Sequence, residues 1–235
     1  MENKPKNYLN DEHLSIGTRE YLRVLNAGGR PVESLPVAEA RKVLADVQAA
    51  VEVDLSGIDE REREIVADGH ALTLHLVRPH GSRGRPPYFV FIHGGGWVLG
   101  DYPTHRRLVR DLVVESEVAA VFVDYTPSPE AKYPQAVDEI YAAVKWVAEN
   151  DAELDLDRRR MALVGNSAGG NMALAAALLA KKRHAPAVRA LVLLWPVTSA
   201  SSDWKSYALY GGERFLTAPL MKWMFDRYTT DARAR

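Results

Sequence analysis

The chain contains no cysteine. That excludes a disulfide framework, a thiol nucleophile and any cysteine-ligated metal site. Net charge is nearly absent as well, since 30 Lys and Arg against 31 Asp and Glu leave a formal −1. So even a balance gives no indication of a nucleic-acid partner or an anionic membrane surface. Long apolar runs are missing: MALAAALLA and LVLLW are the most apolar stretches, and both are too short to span a bilayer. The N-terminal MENKPKNYLN is polar and lacks the apolar region of a signal peptide, so a soluble cytoplasmic protein is expected. There is no repeat and no metal-binding motif. The single glycine run lacks both the Lys-Ser/Thr of a phosphate loop and the spacing of a dinucleotide fingerprint, so no metal and no cofactor are expected.

What remains is a chain of 235 residues, 47% of them hydrophobic, enough for one sizeable core. Residues 1–50 have helical character. In LPVAEARKVLADVQ, Val37, Ala40, Leu44 and Val47 recur at helical spacing, with Arg41, Lys42 and Asp46 on the other side. From Glu62 the period changes. REREIVADGHALTLHLVRP reads as two strands around an Asp68-Gly69 turn. YFVFIH, AAVFVDY, MALVG and VRALVLLWP read as buried strands. Helices are expected at 104–116, at 134–149 and over AGGNMALAAALLAKK. A hairpin followed by alternating buried strands and helices predicts a mostly parallel sheet with helices on both faces. Residues 204–230 are again helical and rich in aromatics.

Two motifs carry chemistry. In Gly165-Asn166-Ser167-Ala168-Gly169 a strand ends and a helix begins, the context of a nucleophilic serine held on a strained turn. Glycines on either side, Gly165 and Gly169, let strand and helix pass close together. The N–H of Ala168 is then expected to face a substrate carbonyl oxygen. The second motif is His93-Gly94-Gly95-Gly96-Trp97, at the end of a buried strand. Three consecutive glycines weaken any regular element, and the gain is bare backbone N–H groups that donate to an oxyanion. His93 is expected to hold that loop or to pack as a structural residue. None of His13, His70, His75, His80, His105 and His184 lies where a serine's base is expected, because in this motif the acid and base follow the serine. Asp124 and Glu130 are expected to stabilise loops.

HGGGWVLGD and GNSAGGN, joined by YTPSPEAKYPQAVDEIYAAVKWV, resemble the hormone-sensitive-lipase-like family of α/β-hydrolases, in its bacterial esterase branch. The resemblance runs from about Tyr21 to the last residue. It implies an α/β-hydrolase core over 51–203, with a helical cap built from 1–50 and 204–235. It also implies hydrolysis of carboxylic esters with short to medium acyl groups, without cofactor. Ser167 corresponds to the nucleophile, and Gly95, Gly96 and Ala168 to the oxyanion donors, with Gly94 shaping the loop. Asn166 stands where the family usually has aspartate, and TPSPE where it has RLAPE. The family's Asp and His belong after two further strands, roughly 60 to 80 residues. On that reading this chain is the N-terminal portion of the enzyme and close to inactive by itself. The strand at VRALVLLWP, with Val192 and Leu194, is then expected to be covered by a C-terminal fragment or a second copy. A non-catalytic small-molecule-binding protein on the same fold is the competing reading; a peptidase has no feature in its favour.

Overall fold

A computed structural model describes residues 7–231. Two helices come first, α1 (Ile16–Leu25) and α2 (Val37–Ala49). Ser15 caps α1, its Oγ accepting from Thr18 N at 3.1 Å. The hairpin follows as β1 (Ile58–Ala67) and β2 (His70–Pro79). Its turn residues Asp68 and Gly69 both take positive φ, 47° and 87°, the geometry that matches the twist of the two strands.

Strands and helices then alternate: β3 (Tyr88–Ile92), α3 (Tyr102–Ser116), β4 (Ala119–Asp124), α4 (Gln135–Glu149), β5 (Met161–Asn166), α5 (Ala168–Arg183) and β6 (Ala190–Leu194). Two short helices, α6 (Lys205–Tyr210) and α7 (Ala218–Tyr228), complete the described chain. The sheet order is β1-β2-β4-β3-β5-β6. β1 and β2 pair antiparallel, as do β2 and β4, whereas β4, β3, β5 and β6 run parallel.

The parallel strands read as unbroken apolar runs because each feeds two cores. Tyr88, Val90 and Ile92 of β3 face the core under α4 and α5, while Phe89 and Phe91 face the core under α3. The next strand after β3 lies on one side of it and β5 on the other, so the order in which strands are added across the sheet reverses between β3 and β5. The crevice beyond the carboxyl ends of such a pair is where open α/β sheets place their ligands. Both glycine motifs fall there.

Two expectations differ in detail. α3 begins at Tyr102 rather than 104, because Asp101 and Thr104 form a capping box with Asp101 Oδ1 accepting from Thr104 N at 2.9 Å. β6 is the edge strand of the described sheet, and none of its residues is fully buried. Leu191 and Leu193 pack on the core under α5, but Val192 on the opposite face is 44% exposed.

Candidate active site

Ser167 sits at the junction of β5 and α5 with φ 53° and ψ −122°, a backbone conformation that costs a side-chain-bearing residue energy. Three main-chain hydrogen bonds hold it there. Its N–H donates to Leu194 O at 2.9 Å, and its carbonyl accepts from Asn171 N at 3.1 Å and Val197 N at 3.2 Å. The flanking glycines have a geometric reason. A Cβ on Gly165 would lie 2.4 Å from Gly169 O, and one on Gly169 would lie 2.1 Å from Ile92 O. Gly170, for which the sequence pattern suggests no role, is under the same constraint: its Cβ would fall 2.9 Å from that of Pro196.

The glycine loop lies directly against this turn. Gly94 N donates to Asn166 Oδ1 at 2.9 Å, and a Cβ on Gly94 would come within 3.1 Å of Ser167 Cβ. Gly95 and Gly96 take φ of 111° and 61°, and Trp97 follows at 63°. Gly95 O accepts from both Val98 N, at 3.2 Å, and Leu99 N, at 2.8 Å, which closes the loop into a tight turn. Gly96 has no side chain because Met224 of α7 occupies the space: a Cβ would lie 2.0 Å from Met224 Sδ.

His93 is buried, as expected of a structural residue. Its Nδ1–H donates to Gly94 O at 2.7 Å, and its ring stacks between Tyr125 and Phe122. Burial, reinforced by the neighbouring His105, pushes its pKa down to about 3, so the ring is neutral. His105 is the residue that sequence reasoning missed. It opened a helix and nothing more, yet its Nε2 lies 3.5 Å from Asn166 Nδ2 and it borders the same cavity as Ser167. Burial lowers its pKa too. The contact arises only when α3 packs over the end of β5, so no local pattern announces it.

That cavity holds about 430 Å³ and is mainly apolar. Gly95, Gly96 and Ser167 form its floor, Val43 and Val47 of α2 one wall, and Leu220 and Met224 of α7 the other. A more open cleft on the far side of Ser167 runs past Trp195 towards Tyr207 and Tyr210. The two helical segments that roof the site are tied together. Asn26 Nδ2 donates to Glu213 O at 3.3 Å, and Arg214 pairs with Asp11 at 3.0 Å.

The structure therefore brings Ser167, Gly94, Gly95, Gly96, Ala168 and His93 into one site, around the close approach of β3 and β5. Of the other histidines, His105 borders the same cavity, whereas His75 bonds Asp124 at 2.7 Å and His80 bonds Asp59 at 2.9 Å. Glu130 binds Arg41, and its carboxyl is held below the usual range by that bond. Among the described residues no group of three His, Asp or Glu is arranged to hold a metal ion, and no helix is long and apolar enough to cross a membrane.

Comparison with known proteins agrees with this architecture. Residues 89–235 match the family model described as alpha/beta hydrolase fold. A putative alpha/beta hydrolase of Acanthamoeba polyphaga mimivirus is 32% identical over 204 residues, covering 85% of this chain and 57% of its own length. An ethyl acetate hydrolase of Pseudomonas putida is 31% identical over 222 residues, covering 89% of this chain and 69% of its own. The crystal structure of a thermostable esterase from Pseudomonas putida superposes with a TM-score of 0.93 at 52% identity, over 94% of this chain and 70% of that one. The chain thus spans between 57% and 69% of the two curated relatives. On the family match, the shared topology and the paired glycine motifs, this chain belongs to the alpha/beta hydrolase fold family, in its hormone-sensitive-lipase-like branch.

Proposed function

We propose that the site hydrolyses carboxylic esters through Ser167. One observation carries this reading: a serine held at φ 53° on the N-terminus of α5 and a glycine loop at positive φ face one apolar cavity. In the reaction Ser167 Oγ attacks the ester carbonyl carbon and gives up its proton to a base. The carbonyl oxygen becomes an oxyanion, which the N–H groups of Gly95, Gly96 and Ala168 receive. The N-terminal end of α5 adds partial positive charge. Collapse expels the alcohol, which takes the proton, and leaves an acyl-serine. Water, giving its proton to the same base, then attacks the acyl carbon; collapse releases the acid, and Ser167 Oγ takes the proton back.

The base is assigned to none of the seven histidines. His93 is buried and occupied by Gly94 O, and His105 faces Asn166. An apolar cavity of about 430 Å³ favours a short to medium acyl group. The names of the relatives, an ethyl acetate hydrolase and a thermostable esterase, support the same substrate class.

A fluorophosphonate probe followed by peptide mapping tests the assignment. An active enzyme that contains this chain together with a base and its orienting acid is expected to be labelled at Ser167 and to hydrolyse p-nitrophenyl butyrate, and Ser167→Ala is expected to lose both. Labelling of a different serine overturns it.

A further inference from the structure

Sequence periodicity sorts Arg41 to the solvent side of α2 with Lys42 and Asp46. For those two the assignment holds, since they form an exposed pair one turn apart. Arg41 behaves differently. Its side chain is only 30% exposed and its guanidinium reaches across to the sheet end. Nε donates to Val98 O at 2.8 Å. One terminal nitrogen donates to Glu130 Oε1 at 2.9 Å, and the other to Glu130 Oε2 at 2.6 Å and to Ser128 O at 3.0 Å. Ser128 in turn donates its N–H to Trp97 O at 2.7 Å. One planar fork therefore joins three segments: helix α2, the end of the glycine loop, and the 126–131 loop.

The loop it grips is the one that carries Gly95 and Gly96. Gly95 O is held by Val98 N and Leu99 N, Trp97 O by Ser128 and Val98 O by Arg41, so three carbonyls of the loop are fixed. Rotation of the Gly95–Gly96 peptide is what would swing the Gly96 N–H away from the cavity; Val98 N and Leu99 N hold its carbonyl, and Arg41 holds the Val98–Leu99 peptide from which they act. Meanwhile the neighbouring positions of α2, Ala40, Val43, Leu44 and Val47, line the cavity. The helix that walls the pocket is thus mechanically linked to the donors on its floor.

We propose that Arg41 is a positioning residue: it locks the Gly94–Val98 loop in the shape that presents the glycine N–H groups to the oxyanion, and through α2 it couples pocket occupancy to that shape. This rests on the esterase reading of Ser167. Lysine cannot fully substitute, because a single ammonium on a flexible stem cannot bridge a carbonyl and a carboxylate in one plane as the guanidinium does.

The experiment compares wild type, Arg41→Ala, Arg41→Lys and Glu130→Gln in an active enzyme that contains this chain. Kinetics on p-nitrophenyl butyrate are measured beside affinity for a trifluoromethyl ketone, which forms the tetrahedral oxyanion at the serine. Arg41→Ala is expected to lower kcat roughly 10- to 100-fold with KM changed less than about threefold, the signature of misplaced donors rather than lost substrate contacts. The ketone is expected to weaken by a factor similar to the loss in kcat. Arg41→Lys follows the same pattern at smaller size and carries the test if the alanine variant fails to fold. Glu130→Gln keeps the bonds to Val98 O and Ser128 O and is expected to lose less than either. Hydrogen exchange of peptides covering 94–100 is expected to quicken in the Arg41 variants and stay unchanged in α5. A kcat near wild type, a loss confined to KM, or unchanged exchange at 94–100 overturns the proposal. Absence of ester hydrolysis by wild type counts against the esterase reading instead, and the exchange measurement still decides whether Arg41 holds the loop.

Discussion

Asn166 Oδ1 accepts the backbone N–H of Gly94 at 2.9 Å, binding the residue before Ser167 to the first glycine of the loop. Because an N–H must meet an oxygen, the amide orientation is fixed, and Asn166 Nδ2 faces His105 Nε2 at 3.5 Å. His105 is therefore the acceptor there and carries its proton on Nδ1, directed at Asp101 O 3.3 Å away. One neutral amide links the elbow, the loop and α3.

Asn166→Asp restores the family's usual residue and makes a clear electrostatic prediction. The carboxylate still accepts from Gly94, but its second oxygen now faces a histidine nitrogen with no proton. A nearby opposite charge favours imidazolium, so the His105 pKa, lowered by burial in the wild type, is expected to rise. A raised pKa adds stability below it that is lost as pH rises through it, so the variant gains on the acid side relative to wild type. Titration of the His105 ring by NMR checks this. If His105 titrates no higher in Asn166→Asp than in wild type, the two groups are not coupled and the prediction fails. Asn166→Ala leaves a buried N–H without a partner and is expected to cost about 1–3 kcal/mol in urea unfolding.

His93 sets the acid limb of the stability profile. Its folded pKa is depressed to about 3, so between that value and the unfolded value near 6.5 the unfolded chain binds a proton that the native ring refuses. Stability is expected to be level above pH 7 and to fall below pH 6.5, by up to about 1.4 kcal/mol per unit for each such ring. His105 acts in the same direction. Urea midpoints between pH 8 and 5 show whether the slope exists, and a profile that stays flat or rises toward pH 5 contradicts it.

How much of this was legible beforehand depends on range. The hairpin was legible because Asp68-Gly69 encodes its own turn, and the buried strands because both faces of Tyr88–Ile92 meet apolar cores. The site's two halves were legible because each is a local motif that glycine makes visible. Arg41 and His105 were not. Both act through partners distant in sequence, Val98 and Glu130 for Arg41 and Asn166 for His105, so their partners exist only after packing. A helical wheel counts Arg41 as solvated because it registers direction from the axis, not the reach of a long side chain.

Gly169 provides a test of close packing between β3 and α5. A Cβ there would meet Ile92 O at 2.1 Å and His93 O at 2.4 Å, both main-chain atoms that cannot step aside. Gly169→Ala is expected to cost about 3 kcal/mol or to prevent folding, at or beyond the upper end of ordinary overpacking. Gly17 is the control, because on α1 an added Cβ meets nothing nearer than Ser15 Oγ at 4.0 Å. Gly17→Ala is expected to stabilise by about 0.5 kcal/mol through helix propensity. Equal effects of the two substitutions contradict the packing account.

The open side of β6 makes the last prediction. One face of the strand, Leu191 and Leu193, packs on the core under α5, and its neighbour β5 pairs along one edge from Ala162↔Ala190 to Asn166↔Leu194. The other edge presents main-chain donors and acceptors, and the opposite face presents Val192 at 44% exposure with Trp195 beyond it at 68%. A flat apolar edge of this kind recruits a further strand or promotes aggregation. The expectation is that in the functional protein a further strand pairs with β6 and covers Val192. Val192→Lys separates the alternatives. If the face is covered, the ammonium is buried without a partner and the variant loses well over about 1 kcal/mol in urea unfolding. If the face is open, the change stays within about 0.5 kcal/mol, as surface substitutions do. Amide exchange at 190–194 gives an independent measure: a paired edge protects those residues to the level of β5, and an open one lets them exchange far faster. Small loss in Val192→Lys together with fast exchange would show that β6 is a true outer edge, and that the sheet ends there.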